Sequence, residues 1–257
     1  MFGFKRRRRR RQKKLPFPEE WTQILERNVP YVRALTPRER TELQGHIQVF
    51  LNEKRFEGLV GLEITDEIRV TIAAQACILL LHRETDYYPS LRTILVYPET
   101  YLVRTSRPQP DGTVVEGVEA RLGESWHRGQ VVLSWSDVLR GAADVRDGNN
   151  VVFHEFAHQL DSEDGPVDGA PKMPMRSMYI PWARVLTREY KRLLGDLEAH
   201  RRTCLRSYAG TNPAEFFAVV TETFFEQPRK LKRCHPELYD QMKAFYRQDP
   251  AERSRDR

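Results

Sequence analysis

The stretch Val151–Asp161, VVFHEFAHQLD, decides how this chain is read. It carries His154, Glu155 and His158 in H-E-x-x-H spacing. On a helix, positions i and i+4 lie on one face a turn apart, so the two imidazoles can grip one metal ion from the same side. Glu155, beside the first imidazole, is placed to take a proton from water held at that ion. The chain has only seven histidines, so a chance match is on the order of one per cent. Val151, Val152, Phe153, Phe156, Ala157 and Leu160 make the rest of the stretch apolar. Asn149 or Asn150 can cap its start, with Gly148 just upstream. Ionisable groups on an apolar helix are costly unless paired or metal-bound. The pattern therefore points to hydrolysis, most often of a peptide bond.

A catalytic site of this type needs a third protein ligand and an open position. The metzincin pattern, a third histidine shortly after the motif, is not met: Asp164 stands there, in a stretch without histidine. The segment Thr211–Glu226, TNPAEFFAVVTETFFE, offers the best candidates. Thr211 or Asn212 can cap a helix with Pro213 at its first position. Glu215 and Glu222 are two turns apart and point the same way. Phe216, Phe217, Val219, Val220, Phe224 and Phe225 make that helix strongly apolar. Two inward carboxylates suit one metal ligand and one group that orients a ligating imidazole. Asp161, three residues after His158, either supports the site in the same way or ends the motif helix.

Together with VYP at Val96–Pro98, SW at Ser125–Trp126, VVLSW at Val131–Trp135, YAG at Tyr208–Gly210 and FYRQDP at Phe245–Pro250, these blocks resemble the Mlc titration factor A family of zinc metallopeptidases. The likeness runs from about Pro18 to Pro250, and HEFAHQLD and YAGTNPAEFFAV are its specific parts. The pattern is also similar to the catalytic domain of anthrax lethal factor. The resemblance implies a gluzincin-like core with one Zn²⁺ held by His154, His158 and Glu215. It implies Glu155 as general base and Tyr208 as hydroxyl donor to the developing oxyanion. It further implies aminopeptidase-like action on short peptides, and binding of a transcriptional repressor that regulates sugar-uptake genes. The alternative is a regulatory binding protein that sequesters a transcription factor, its peptidase activity latent or secondary. The arginine run at the N-terminus is not part of the family pattern.

Outward from these blocks, 257 residues with 40% hydrophobic and 10% aromatic content can build a packed core. The formal net charge is +6, but the first fourteen residues hold nine cations and no acid, so the rest carries −3. The basic run Arg6–Arg11, with Lys5, Lys13 and Lys14, reads as a disordered tail over 1–17. Such a run can contact RNA, DNA or an anionic membrane surface. No apolar stretch follows it, which argues against a secretory signal, and no segment approaches the ~20 apolar residues of a membrane span. Three cysteines, widely spaced, form no C-x-x-C pair and no disulfide framework. A cytoplasmic location is the simplest inference.

Helices are expected from Thr36-Pro37 to about Arg55, from Asp66 to Leu81, over Met178–Arg202 and over Pro236–Gln248. Strands are expected at Thr93–Tyr97, Val114–Val118 and Gln130–Trp135, with a P-D-G turn inside Pro108–Gly117. Val131–Trp135 is the candidate edge strand for docking an extended peptide, and Ser162–Met178 reads as a loop near the cleft. The expected fold is α+β: a mainly helical single domain with a small sheet. The catalytic domain spans 18–250, with a helical part at about 18–90, a catalytic part at about 91–250 and a disordered tail at 251–257.

Overall fold

A computed structural model describes residues 2–99, 101–108, 114–121, 123–126 and 129–253, the strands between 101 and 126 by their backbone only. The chain opens with α1 (Phe2–Gln12) and α2 (Glu19–Asn28). A capping box starts α3 (Pro37–Glu53): the Thr36 hydroxyl accepts from the Glu39 N–H, and the Glu39 carboxylate accepts from the Thr36 N–H. After β1 (Arg55–Gly58) comes α4 (Asp66–Ile78), whose cap is Thr65, one residue earlier than the sequence suggests. Next are β2 (Thr93–Tyr97), β3 (Tyr101–Pro108), β4 (Val114–Arg121), β5 (Gly123–Trp126) and β6 (Gln130–Ser134). The chain closes with α5 (Trp135–Ala143), α6 (Val151–Asp161), α7 (Tyr179–Glu198), α8 (Pro213–Glu226), α9 (Pro228–Cys234), α10 (Pro236–Tyr246) and α11 (Pro250–Arg253). This is a mainly helical α+β domain, as expected.

The sheet runs in the order β1-β2-β6-β5. The first three strands are parallel, in register Phe56↔Ile94 and Ile94↔Val131, and β5 joins β6 antiparallel. β3 and β4 pair separately. The expectation of an edge at Val131–Trp135 is corrected here. β6 is bonded on both sides, β5 is the outer strand, and Trp135 already belongs to α5. The expected P-D-G turn, residues 110–112, lies outside the described residues.

Aromatic contacts lock the two motif-bearing helices into the core. Phe153 of α6 meets Phe225 of α8 at 5.3 Å between ring centroids. Phe156 meets Tyr88 at 4.8 Å and Phe50 at 5.8 Å. Phe217 meets Trp182 and Phe245. Each buried ring removes a large apolar area from water, and edge-on geometry adds to that.

Three expectations differ from the structure. The basic run forms α1 instead of a disordered tail, because Arg9 lies against α3 and bonds Glu53 and Asp86. At the other end, residues 251–253 are helical, and Arg253 bonds Glu39, Tyr31 and Gln248. Cys204 and Cys234 form a disulfide, Cα–Cα 6.5 Å, brought together by the return of the chain from α7 through α8 to the end of α9. Cys77 is buried and free. Among the described residues no helix is long and apolar enough to cross a membrane.

Candidate metal centre

Asn150 is the cap of α6. Its side-chain oxygen accepts from the Phe153 N–H at 2.9 Å, and its amide group donates to Gln75 and to the Gly141 carbonyl. The start of the motif helix is thereby fixed to α4 and α5. Asn212 caps α8 in the same way, accepting from the Glu215 N–H at 2.9 Å. Every residue of α6 is buried except His154, and in α8 only Pro213 and Glu215 are not. Two apolar helices thus expose one imidazole and one carboxylate where they meet.

His154 Nε2 lies 2.9 Å from Glu215 Oε2, and His158 Nε2 lies 3.5 Å from the same oxygen. One ligand atom from each of the three residues falls within 4.8 Å of the others. Burial disfavours charge on His154, but its hydrogen bonds to Glu215 and Glu222 outweigh that and push the imidazole up to about 10. Burial likewise disfavours charge on Glu215, yet the two imidazoles hold its carboxyl well below the usual range. The site therefore draws positive charge into a buried pocket of nitrogen and oxygen donors. A metal ion satisfies that demand through the same atoms, and two imidazoles with one carboxylate suit Zn²⁺.

Glu222 does not share this face of His154. It is buried behind the ring, and its Oε1 lies 2.9 Å from Nδ1. Its Oε2 accepts from the Asn150 N–H at 2.6 Å, and Arg206 donates to Oε1. Arg206 also bonds the Asn149 side chain at 2.7 Å. Such a carboxylate fixes the tautomer and orientation of a ligating imidazole and raises its basicity. Asp161 has a different place. It is fully buried, and its Oδ2 accepts from the Gly169 N–H at 2.7 Å, tying the following loop to the end of α6. Glu155 is buried at 4% exposure next to His154. Tyr208 stands 51% exposed in a short 3-10 turn, its ring centroid 5.9 Å from that of His154.

Sequence reasoning did not find Arg206 or Glu226. Arg206 sits in a polar loop, and its partners lie on other elements. Glu226, one turn after Glu222, accepts from the Asn149 N–H at 3.0 Å; burial and nearby Glu222 push its carboxyl up to about 9. A third glutamate on one apolar helix was the available signal. Two histidines outside the site have other partners: His46 bonds Tyr87, and His82 bonds Glu39. His127 lies outside the described residues.

An H-E-x-x-H helix packed on a second helix that supplies a carboxylate to the same point defines the metallopeptidase class. Residues 4–247 match the model of the glucose-regulated metallo-peptidase M90 family. The chain belongs to that family. It is 45% identical over 237 residues to the uncharacterized protein slr2042 of Synechocystis sp., covering 91% of this chain and 86% of that one. It is 31% identical over 239 residues to Mlc titration factor A of Klebsiella pneumoniae, covering 92% and 88%. The corresponding Salmonella agona protein, also named Mlc titration factor A, is 30% identical over 240 residues, covering 92% and 89%.

Proposed function

We propose that the protein is a zinc-dependent peptidase with aminopeptidase-like action on short peptides. His154, His158 and Glu215 hold one Zn²⁺ in this reading. The observation that carries it is the convergence of their ligand atoms within 4.8 Å, where α6 and α8 bring half-buried His154 and Glu215 beside buried His158. When bound, zinc supplies Lewis acidity toward a carbonyl and lowers the pKa of water. Glu155 takes the proton of the attacking water and delivers it to the leaving amine. The Tyr208 hydroxyl donates a hydrogen bond to the oxyanion as negative charge develops. Glu222, held by Arg206 and the Asn150 N–H, keeps His154 in the ligating tautomer. An extended peptide docks along the outer edge of β5, which packs against α6, through backbone hydrogen bonds.

The name borne by the Klebsiella and Salmonella relatives supports a second role. In it, the protein binds a transcriptional repressor of the Mlc kind and so regulates sugar-uptake genes from the cytoplasm. As an alternative to catalysis, that binding is the primary function and peptidase activity is latent.

The test is cleavage of a chromogenic amino-acid and peptide panel by zinc-loaded protein, with Glu155→Gln beside it. Turnover that disappears in the variant while zinc is retained supports the peptidase reading. Absence of turnover in protein holding one zinc per chain, with a repressor complex that survives Glu155→Gln, supports the alternative.

A further inference from the structure

The basic helix α1 has two unlike faces. Its inner face is docked on the body of the protein. Arg9 donates to both oxygens of Glu53 at 2.9 and 2.7 Å and to the Asp86 side chain at 2.5 Å, and its guanidinium lies 4.6 Å from the Tyr87 ring centroid. Lys5 bonds Asp86 at 3.0 Å, and Arg8 bonds Glu53 at 3.1 Å. The stem of Lys13 packs over Gly45 of α3, where a Cβ would come within 3.3 Å of it. Gln48 of α3 fastens the next turn by donating to the carbonyls of Leu15 and Pro16. The charges of this face are thus balanced by acids of the fold.

The outer face is different. At about 100° per residue, Phe4, Arg7 and Arg11 fall within an arc of about 60° opposite Arg9, with Arg10 flanking it. Arg6, Arg7, Arg10 and Arg11 are exposed, and none makes an ion pair among the described residues. Phe4 is 80% exposed on the same arc, and Leu15, just past the helix, is 46% exposed. A rigid row of unpaired guanidinium groups, apolar at both ends, is therefore held away from the protein.

We propose that this face docks the protein on an anionic lipid bilayer. Guanidinium groups pair with lipid phosphates, and an aromatic ring at the tip of the row settles at the boundary between headgroups and acyl chains. Along a nucleic-acid backbone the exposed Phe4 and Leu15 would meet phosphates, from which an apolar side chain gains nothing. Beyond the first fourteen residues the chain carries −3, so its overall charge repels a long polyanion that leaves the helix. A plane set against the outer face of α1 meets Arg7 and Arg11 directly and the flanking Arg10, with the exposed Arg6 at the border of the docked face. α1 has no apolar stripe, so the attachment is electrostatic and reversible. This inference does not depend on the peptidase reading.

The test is flotation of the full chain with phosphatidylcholine vesicles, with and without phosphatidylglycerol, across a salt series. The wild type is expected to float with anionic vesicles only and to detach as salt rises. The variant Arg6→Gln/Arg7→Gln/Arg10→Gln/Arg11→Gln leaves the docked face intact. It is expected to keep the wild-type helical signal and melting temperature. Each cation removed is expected to weaken partition about fivefold, so the four together several hundred-fold. Phe4→Ser is expected to weaken it several-fold with all charges kept, so the proposal stays testable even if the quadruple variant misfolds. Equal binding to neutral and anionic vesicles, no binding to either, or full binding by the quadruple variant overturns the proposal. So does tighter binding of an oligonucleotide than of anionic vesicles at the same ionic strength.

Discussion

His154 is where the two halves of the site meet, with Glu215 on one ring nitrogen and Glu222 on the other. Glu222 is gripped from both sides: His154 and the Asn150 N–H on α6 meet it, and Arg206 donates to it from the loop before α8. Arg206→Gln keeps a donor but removes the charge. It is expected to weaken zinc affinity about 10- to 100-fold, the usual loss when an outer partner of a metal ligand is removed. Competition with a chromophoric chelator measures this; unchanged affinity would show that Arg206 serves only the loop. Glu226 gives a prediction with a defined pH window. Its folded carboxyl titrates at about 9, against an ordinary value of 4.5. A raised folded pKa favours the fold fully below the unfolded value, and that advantage is lost as pH rises through the folded one. Glu226→Gln keeps an oxygen for the Asn149 N–H and removes the titration. The wild type should therefore lose stability relative to Glu226→Gln between about pH 5 and 9. Parallel urea midpoints across that range, differing by a constant, would contradict this.

At the scale of elements, the two ligand-bearing helices are joined by more than their aromatic contacts. Gly169 gives its N–H to Asp161 at the end of α6, and its carbonyl accepts from Trp182 Nε1 at 3.0 Å. Its φ is +81°, and a Cβ there would lie 2.5 Å from the carbonyl oxygen of Pro213, the first residue of α8. Gly169→Ala is expected to destabilise by more than about 1 kcal/mol, through backbone strain and displacement of the α8 start. A lowered urea midpoint with reduced zinc retention is the expected result; a wild-type midpoint would refute it. These helices were legible in the sequence because their signals are local: an Asn cap, Pro213 at a first turn, apolar periodicity, H-E-x-x-H spacing. What was not legible depends on distant partners. Which of β5 and β6 forms the edge is fixed by pairing between strands, and α1 is ordered by Glu53 and Asp86 far along the chain. For Asp161 the sequence left open support of the site or a helix end, because its partner Gly169 lies in a loop.

For the whole molecule, the Cys204–Cys234 bridge is the largest departure from the sequence reading. It spans 30 residues, from the loop that carries Arg206 and Tyr208 to the end of α9. Closing a loop of about 30 residues restricts the unfolded chain by about 3–4 kcal/mol in the chain-entropy model. The oxidised protein should therefore melt several degrees above the reduced one, and Cys204→Ser/Cys234→Ser should match the reduced form. Identical melting of all three would contradict it. Paired carboxylates contribute to stability toward acid. Glu39 is held down to about 2: burial works against its charge, but bonds from Thr36, His82 and Arg253 prevail. A depressed folded pKa stabilises above the unfolded value of 4.5 and is lost as pH falls toward about 2. Acid unfolding is expected in that window, and Glu39→Gln, which does not titrate, should lose stability less steeply than wild type between about pH 4.5 and 2; urea midpoints that fall in parallel across that range would contradict this.

In the proposed reading, His154, His158 and Glu215 together hold one catalytic zinc ion. This assignment is tested most directly by equilibrium zinc binding and metal content of the wild type, Glu215→Ala and Glu222→Ala. The wild type is expected to hold one zinc per chain, Glu215→Ala to lose it, and Glu222→Ala to bind it more weakly but still saturate. Stoichiometric, tight zinc in Glu215→Ala would contradict the assignment.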